Sequence, residues 1–270
     1  PSVVLWGPGN ESGDGPGQAG AAGAARALDP SRPLHYEGPF MHDLHAEASV
    51  SDVVCPMYTG IDEIVARAGW EGDPRRPLIL CEYSHAMGNS NGSLADYWDA
   101  IEATPGPQGG VIWERLVDRG APPGRGPPRR GGGRGYGGDF GDEPHDGNFI
   151  CDGLVAADRT PHPAMAEVRW VGRPVDVALA PRGVEVTSRR WFTSLAALRG
   201  AWELSVDGEV LQAGSLDAGD LAPRASTRVA VPTRAPANAT GSEAHLAVTW
   251  PTRRRSSWAP AGHVVARQQL

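Results

Sequence analysis

An α/β unit built on a parallel sheet, followed by a smaller all-β unit, is the fold class this sequence predicts. Three observations carry that expectation. Five short apolar runs in the first 113 residues are continuous rather than alternating, as in strands buried on both faces of a parallel sheet. Helical patterns lie between them, which implies βα units. From residue 173 onward apolar and polar residues alternate, as in strands with one face in a core and one in water. The expected domains are 1–172 and 173–270.

The apolar runs are residues 3–6, 34–36, 53–58, 78–81 and 111–113. The first helix is expected over 18–28, rich in Ala and Gly and ending at Asp29-Pro30. The second is clearer. Leu94, Tyr97, Trp98 and Ile101 sit at i, i+3, i+4 and i+7 and form one apolar face. Ser93 is expected to cap it, with Asp96 three residues on, and Pro105-Gly106-Pro107 to stop it. Residues 119–135 read RGAPPGRGPPRRGGGRG. They carry no hydrophobic period and are expected to be a solvated loop. In the second unit, alternation marks strands at 175–179, 184–187, 202–206 and 245–250, and Asp207-Gly208 is a hairpin signal. Together these indicate an antiparallel sandwich of about 100 residues.

Composition excludes other classes. The chain has 270 residues, 40% of them hydrophobic, and a net charge of −7. A core is affordable, and the acidity disfavours a protein whose affinity rests on phosphate contacts. No nucleic-acid or membrane partner is expected, because no apolar run approaches the ~20 residues of a membrane span. All 25 basic residues are Arg, which reads as codon bias. The three cysteines Cys55, Cys81 and Cys151 suit a reducing, cytoplasmic setting better than a disulfide framework. The chain opens on Pro1 and enters a strand pattern at once, which leaves no room for a leader and reads as a cut through a longer protein.

Two segments place a carboxylate just beyond an apolar run. One is Gly9-Asn10-Glu11-Ser12-Gly13 after residues 3–6. The other is Glu82-Tyr83-Ser84-His85 after residues 78–81. In a parallel α/β barrel catalytic groups sit at the carboxyl ends of strands. Two glutamates there can face each other, and paired carboxylates are what glycoside hydrolysis requires.

Further blocks carry a family resemblance. Asp29-Pro30-Ser31-Arg32-Pro33, Cys55-Pro56-Met57-Tyr58 and the run from Arg76 through Cys81-Glu82-Tyr83-Ser84-His85-Ala86-Met87-Gly88-Asn89-Ser90 resemble the large bacterial β-galactosidases of glycoside hydrolase family 2. So do Gly109-Gly110-Val111-Ile112-Trp113, the block around Gly137-Gly138-Asp139 and Asp158-Arg159-Thr160-Pro161-His162-Pro163. The resemblance spans nearly the whole chain and is weaker after 172. It implies that the five strands are the last five of a (β/α)8 barrel and that the second unit is an immunoglobulin-like sandwich. It also implies a retaining β-galactosidase, of which this chain is a fragment inactive on its own. Glu82 matches the nucleophile and Glu11 the acid/base, a carboxylate that also touches Mg2+ in that family. Asn10, Tyr58, His85 and Trp113 match sugar-site residues. Phe149, through its carbonyl, and Asp152 match positions at a Na+ site. The implied partners are a β-galactoside substrate and, at full length, further copies of the chain in a homo-oligomer.

Three departures stand out. Asp152 replaces an Asn, and Pro8 replaces a common Leu. After Trp113 the pattern W-x-W-x-D gives way to Glu114-Arg115-Leu116-Val117-Asp118. The alternatives are another family 2 glycosidase such as a β-glucuronidase, which the 81–90 block disfavours, and a non-catalytic carbohydrate-binding remnant.

Overall fold

The structure, a computed structural model, describes residues 2–69, 76–115, 136–139, 141–156, 158–234 and 241–270. The Gly/Arg segment 119–135 lies outside the described residues. The chain divides into two compact units, Pro1–Val171 and Gly172–Leu270. Among the described residues no helix is long and apolar enough to cross a membrane.

In the first unit, helices α1 (Pro16–Leu28), α2 (Ile61–Ala68), α3 (Leu94–Ala103) and α4 (Met165–Val171) accompany strands β1 (Leu78–Tyr83) and β2 (Pro107–Ile112). β1 and β2 pair in parallel. Runs 3–6, 34–36 and 53–58 are not full strands, contrary to expectation. They join the sheet through single parallel bridges, Trp6 to Leu34, Val54 to Leu78 and Met57 to Glu82. The reason is local. Pro33 and Pro56 have no N–H to donate, and side chains take ladder bonds. Leu34 N donates to Asp52 Oδ2 at 2.8 Å, and Tyr36 N to Ser51 Oγ at 3.0 Å. Backbone bonds still link the segments in chain order. His35 N reaches Trp6 O at 2.9 Å, Asp52 N reaches Leu34 O at 2.8 Å, Ile79 N reaches Val54 O at 2.9 Å, and Trp113 N reaches Tyr83 O at 3.1 Å. Five neighbouring parallel segments result.

The core beneath them is tightly buried. Leu34, Tyr36, Val54, Ile64, Leu80 and Leu94 are each at most 1% exposed, and truncating one such aliphatic side chain to Ala costs about 2–5 kcal/mol. Helix α1 begins on Pro16, whose fixed φ suits a first helical position. Helix α2 was not anticipated, although Ile61, Ile64, Val65 and Ala68 have helical spacing. Helix α3 forms where expected, but Ser93 does not cap it. Its φ is 62° and its side chain makes no capping bond. The cap comes from Glu167 on α4, whose carboxylate accepts from Ala95 N at 3.0 Å. Strand β2 starts at Pro107, four residues before the apolar run. Gly109 and Gly110 are part of the strand because nothing larger fits: a Cβ on Gly110 would lie 2.8 Å from the Tyr83 ring and 2.9 Å from Leu80 Cβ.

The second unit has strands β3 (Val175–Ala180), β4 (Gly183–Ser188), β5 (Gly200–Val206), β6 (Glu209–Leu216), β7 (Ser226–Ala230), β8 (Ala244–Pro251) and β9 (Val264–Gln269). They form two antiparallel sheets, β3-β4-β7 and β6-β5-β8-β9. The sheets bury one core. Val175, Val184 and Val186 come from one sheet, and Trp202, Leu216, Val248 and Trp250 from the other. Strands β3, β4, β5 and β8 cover the four alternating runs. At the β5–β6 turn Asp207 and Gly208 both have positive φ, 49° and 87°, as a type I′ hairpin turn requires.

Candidate active site

The residues singled out in the first unit fall at one end of the parallel segments. Asn10 and Glu11 follow the Trp6 segment, and Glu37, which was not among the expected site residues, follows residues 34–36. Tyr58 closes residues 53–58, Glu82 lies near the end of β1, and Trp113 directly follows β2. Each lies toward the carboxyl end of its segment, where barrel enzymes place their chemistry.

Glu82 is 8% exposed. Its carboxylate Oε2 accepts a hydrogen bond from Tyr58 Oη at 2.9 Å. The backbone repeats the link, since Tyr58 N donates to Glu82 O at 2.9 Å. His85 lies beside them, its ring centroid 6.2 Å from that of Tyr58 and 5.5 Å from that of Phe149. His85 Nε2 is 3.5 Å from Asp152 Oδ2. Tyr58, Glu82, His85, Phe149 and Asp152 thus form one contiguous group. Glu11 joins it electrostatically, because its negative charge raises the proton affinity of both Glu82 and Tyr58. Asn10 and Trp113 lie at the same end, but among the described residues no side-chain hydrogen bond ties them to the group. Trp113 is held by its backbone: its N donates to Tyr83 O, and its carbonyl accepts from Ala86 N at 2.5 Å. The Trp113–Glu114 peptide is cis.

Backbone conformation at this end is unusual. Glu11, Tyr58 and Ser84 have φ of 49°, 52° and 51°, in the left-handed region that costs a non-glycine residue roughly 1–2 kcal/mol. Such residues persist where their surroundings over-determine them. At Ser84 the partner is Asn91, 7% exposed, whose Nδ2 donates to Ser84 O at 2.5 Å and to Ser84 Oγ at 3.1 Å.

Burial pushes the Glu82 carboxyl above its usual range. The Tyr58 hydrogen bond pulls it back, and the charges of Glu11 and Glu37 push it up again. The Tyr58 hydroxyl is itself held far above its ordinary value, first by burial and then by donating to Glu82. Burial also raises Glu114, with the charge of Asp152 adding to it. Tyr58→Phe is therefore expected to raise the pH at which Glu82 ionises, read by NMR titration of its carboxyl carbon. Losing the donor leaves burial and the neighbouring negative charges opposed only by His85. Ionisation at unchanged or lower pH would show that this bond does not hold Glu82 ionised.

The resemblance implies two ions at this group. Asp152 is 4% exposed and its Oδ1 has no hydrogen-bond partner among the described residues. A buried carboxylate oxygen left without a donor suits a hard cation such as Na+. For Mg2+ the fit is poor. Among the described residues no three His, Cys, Asp or Glu side chains gather to hold a metal, so Glu11 alone would not retain it.

Two carboxylates at the carboxyl ends of parallel segments, one of them hydrogen-bonded by a tyrosine, are the kind of pair that glycoside hydrolysis uses. The chain belongs to glycoside hydrolase family 2. Residues 1–177 match the family model described as the TIM barrel domain of the family 2 glycosyl hydrolases, and residues 184–270 match the model described as β-galactosidase domain 4. A β-galactosidase from Aeromonas hydrophila subsp. hydrophila is 41% identical over 285 residues, covering 100% of this chain and 27% of that protein. The chain thus spans little more than a quarter of that relative's length. Two solved structures are more distant. An FMN-binding β-glucuronidase from Facaelibacterium prausnitzii L2-6 gives a TM-score of 0.39 at 15% identity, over 100% of this chain and 41% of that one. A Bacteroides uniformis β-glucuronidase gives 0.35 at 15% identity, over 94% and 30%. Likeness at that level carries no argument about substrate.

The sequence reasoning passed over Glu37. Its signal was available, since Glu37 follows the apolar run Leu34-His35-Tyr36 just as Glu82 follows residues 78–81.

Proposed function

We propose that this chain carries both catalytic carboxylates of a retaining β-galactosidase, a hydrolase of terminal non-reducing β-D-galactose residues. The observation that carries the reading is the buried Glu82 carboxylate held by Tyr58 Oη at 2.9 Å, with the charge of Glu11 acting on the same pair. The 41% identity to a β-galactosidase supports the substrate class.

In this mechanism Glu11, whose side chain is exposed, protonates the glycosidic oxygen. Glu82 attacks the anomeric carbon, the bond to the leaving group breaks, and a covalent galactosyl-enzyme forms. Glu11, now a carboxylate, takes a proton from water. The resulting hydroxide equivalent attacks the same carbon and releases Glu82. Tyr58 orients the nucleophile and stabilises its charge. His85 and Trp113 would contact the galactosyl group, and Asn10 its 2-hydroxyl.

Phe149, through its carbonyl, and Asp152 would hold Na+, which would supply a fixed positive charge beside His85. Glu11 would contact Mg2+ only with ligands from outside the described residues. The same reading makes the second unit an immunoglobulin-like sandwich and the full-length enzyme a cytoplasmic homo-oligomer.

The test is a 2-deoxy-2-fluoro β-galactoside with an activated leaving group, incubated with the complete enzyme. It should trap a galactosyl ester on Glu82, found by peptide mass mapping. An ester on Glu11 would reverse the two roles, and no ester on either would refute the mechanism.

A further inference from the structure

We propose that Glu37 is a positioning residue for the acid/base: by accepting the backbone N–H of Glu11 it fixes the turn that aims the Glu11 carboxylate. The proposal rests on the roles assigned above to Glu11 and Glu82.

Glu37 is 2% exposed, less than Glu82. An isolated buried carboxylate is strongly unfavourable unless charge or hydrogen bonds satisfy it. No arginine among the described residues pairs with Glu37. Instead its Oε1 accepts from Glu11 N, a charge-assisted bond of the stronger kind. The backbone of Glu37 is fixed in turn. A short helical turn, Gly38–Phe40, starts directly after it, and Phe40 N donates to Glu37 O at 2.7 Å.

The contact is one of three from consecutive residues. Tyr36 Oη donates to Gly13 O at 2.5 Å. Gly38 packs so closely that a Cβ on it would lie 2.6 Å from Gly13 O. Residues 36, 37 and 38 therefore bear on the turn 11–13. That turn needs support, because φ is 49° at Glu11 and 72° at Gly13, and only the second is a residue at ease there.

No hydrogen bond to the Glu11 carboxylate itself is present among the described residues, so its direction follows from its backbone. A general acid must come within hydrogen-bond reach of the oxygen it protonates, and catalytic groups tolerate about 0.5 Å of misplacement. Glu37 is too buried to touch a sugar. Its effect runs through Glu11, and that gives a signature that a purely structural role lacks. Galactosides with poor leaving groups need the acid to depart, whereas 2,4-dinitrophenyl galactoside does not.

The experiment measures kcat/KM of the complete enzyme on phenyl and 2,4-dinitrophenyl β-galactosides. Glu37→Ala should lose on the order of 10²-fold on the phenyl substrate and under about tenfold on the dinitrophenyl one. Glu37→Gln keeps an acceptor oxygen and should recover most of the loss. If the Ala variant does not fold, Glu37→Asp, one methylene short of Glu11 N, serves in its place and should shift the same ratio. An unchanged substrate ratio in the folded variants overturns the proposal. Glu11→Gln is the control. If it shifts the ratio and the Glu37 variants do not, only the positioning role fails. If Glu11→Gln leaves the ratio unchanged, the assignment of the acid/base fails with it.

Discussion

Glu82→Gln in the complete enzyme is expected to lower kcat on aryl β-galactosides by at least about 10⁴-fold, the scale on which loss of a covalent nucleophile acts. Glutamine has nearly the same shape and can still accept from Tyr58 Oη through its amide oxygen. The pocket should therefore keep its packing, and substrate should still bind. What the proposed mechanism loses is the anionic oxygen that would form the bond to the anomeric carbon. Substrate affinity measured by equilibrium binding should change by less than about tenfold, so the loss belongs to chemistry. Turnover within tenfold of the parent would remove Glu82 from the mechanism, whatever its neighbours. Parallel loss of binding and of the folded signal would mean that the carboxylate is structural.

The chain Pro1–Leu270, expressed alone, is expected to show no useful β-galactosidase turnover. Eight strands close a barrel of this kind, and the described residues supply five neighbouring segments. One end of the set exposes Val3, Val4 and Trp6 at 42%, 70% and 38%, and the other exposes Val111 at 61%. Open edges with apolar side chains favour association over a closed pocket. The carboxylates are present and locally held, but an open sheet leaves the spacing between their segments free to vary by more than the fraction of an ångström that catalysis tolerates. The measurement is hydrolysis of a chromogenic β-galactoside by the purified chain, with and without Mg2+ and Na+. Turnover that Glu82→Gln abolishes would show that five segments suffice.

Much of this was legible in the sequence because strong signals coincided. Glu11 and Glu82 each follow an apolar run, and the 3.6-residue spacing of Leu94, Tyr97, Trp98 and Ile101 fixes α3. In the second unit, strict alternation marks β3, β4, β5 and β8, whose inward residues are among the most buried. What escaped depends on partners distant in sequence. Nothing near Ser93 announces that α3 is capped at Ala95 by Glu167, which lies 72 residues beyond Ala95. Gly109 and Gly110 lie in a strand because Trp98 crowds the first and the Tyr83 ring the second, and neither neighbour is close in sequence. Strand β6 was missed because most of its residues face water, so its pattern has little apolar contrast. Glu37 was missed for another reason: it obeyed the same strand-then-carboxylate rule as Glu82 but lacked a long motif around it.

The left-handed backbone at Glu11, Tyr58 and Ser84 has a consequence for engineering. Glycine at any of the three would relieve roughly 1 kcal/mol of conformational cost, part of it offset by the freer unfolded chain. A screen for heat resistance alone would thus be drawn toward replacements that erase the acid, the tyrosine donor or the turn before His85. Stability and turnover oppose each other at these positions. A thermotolerant version should instead be sought among the solvent-facing residues of the second unit, with the three left untouched.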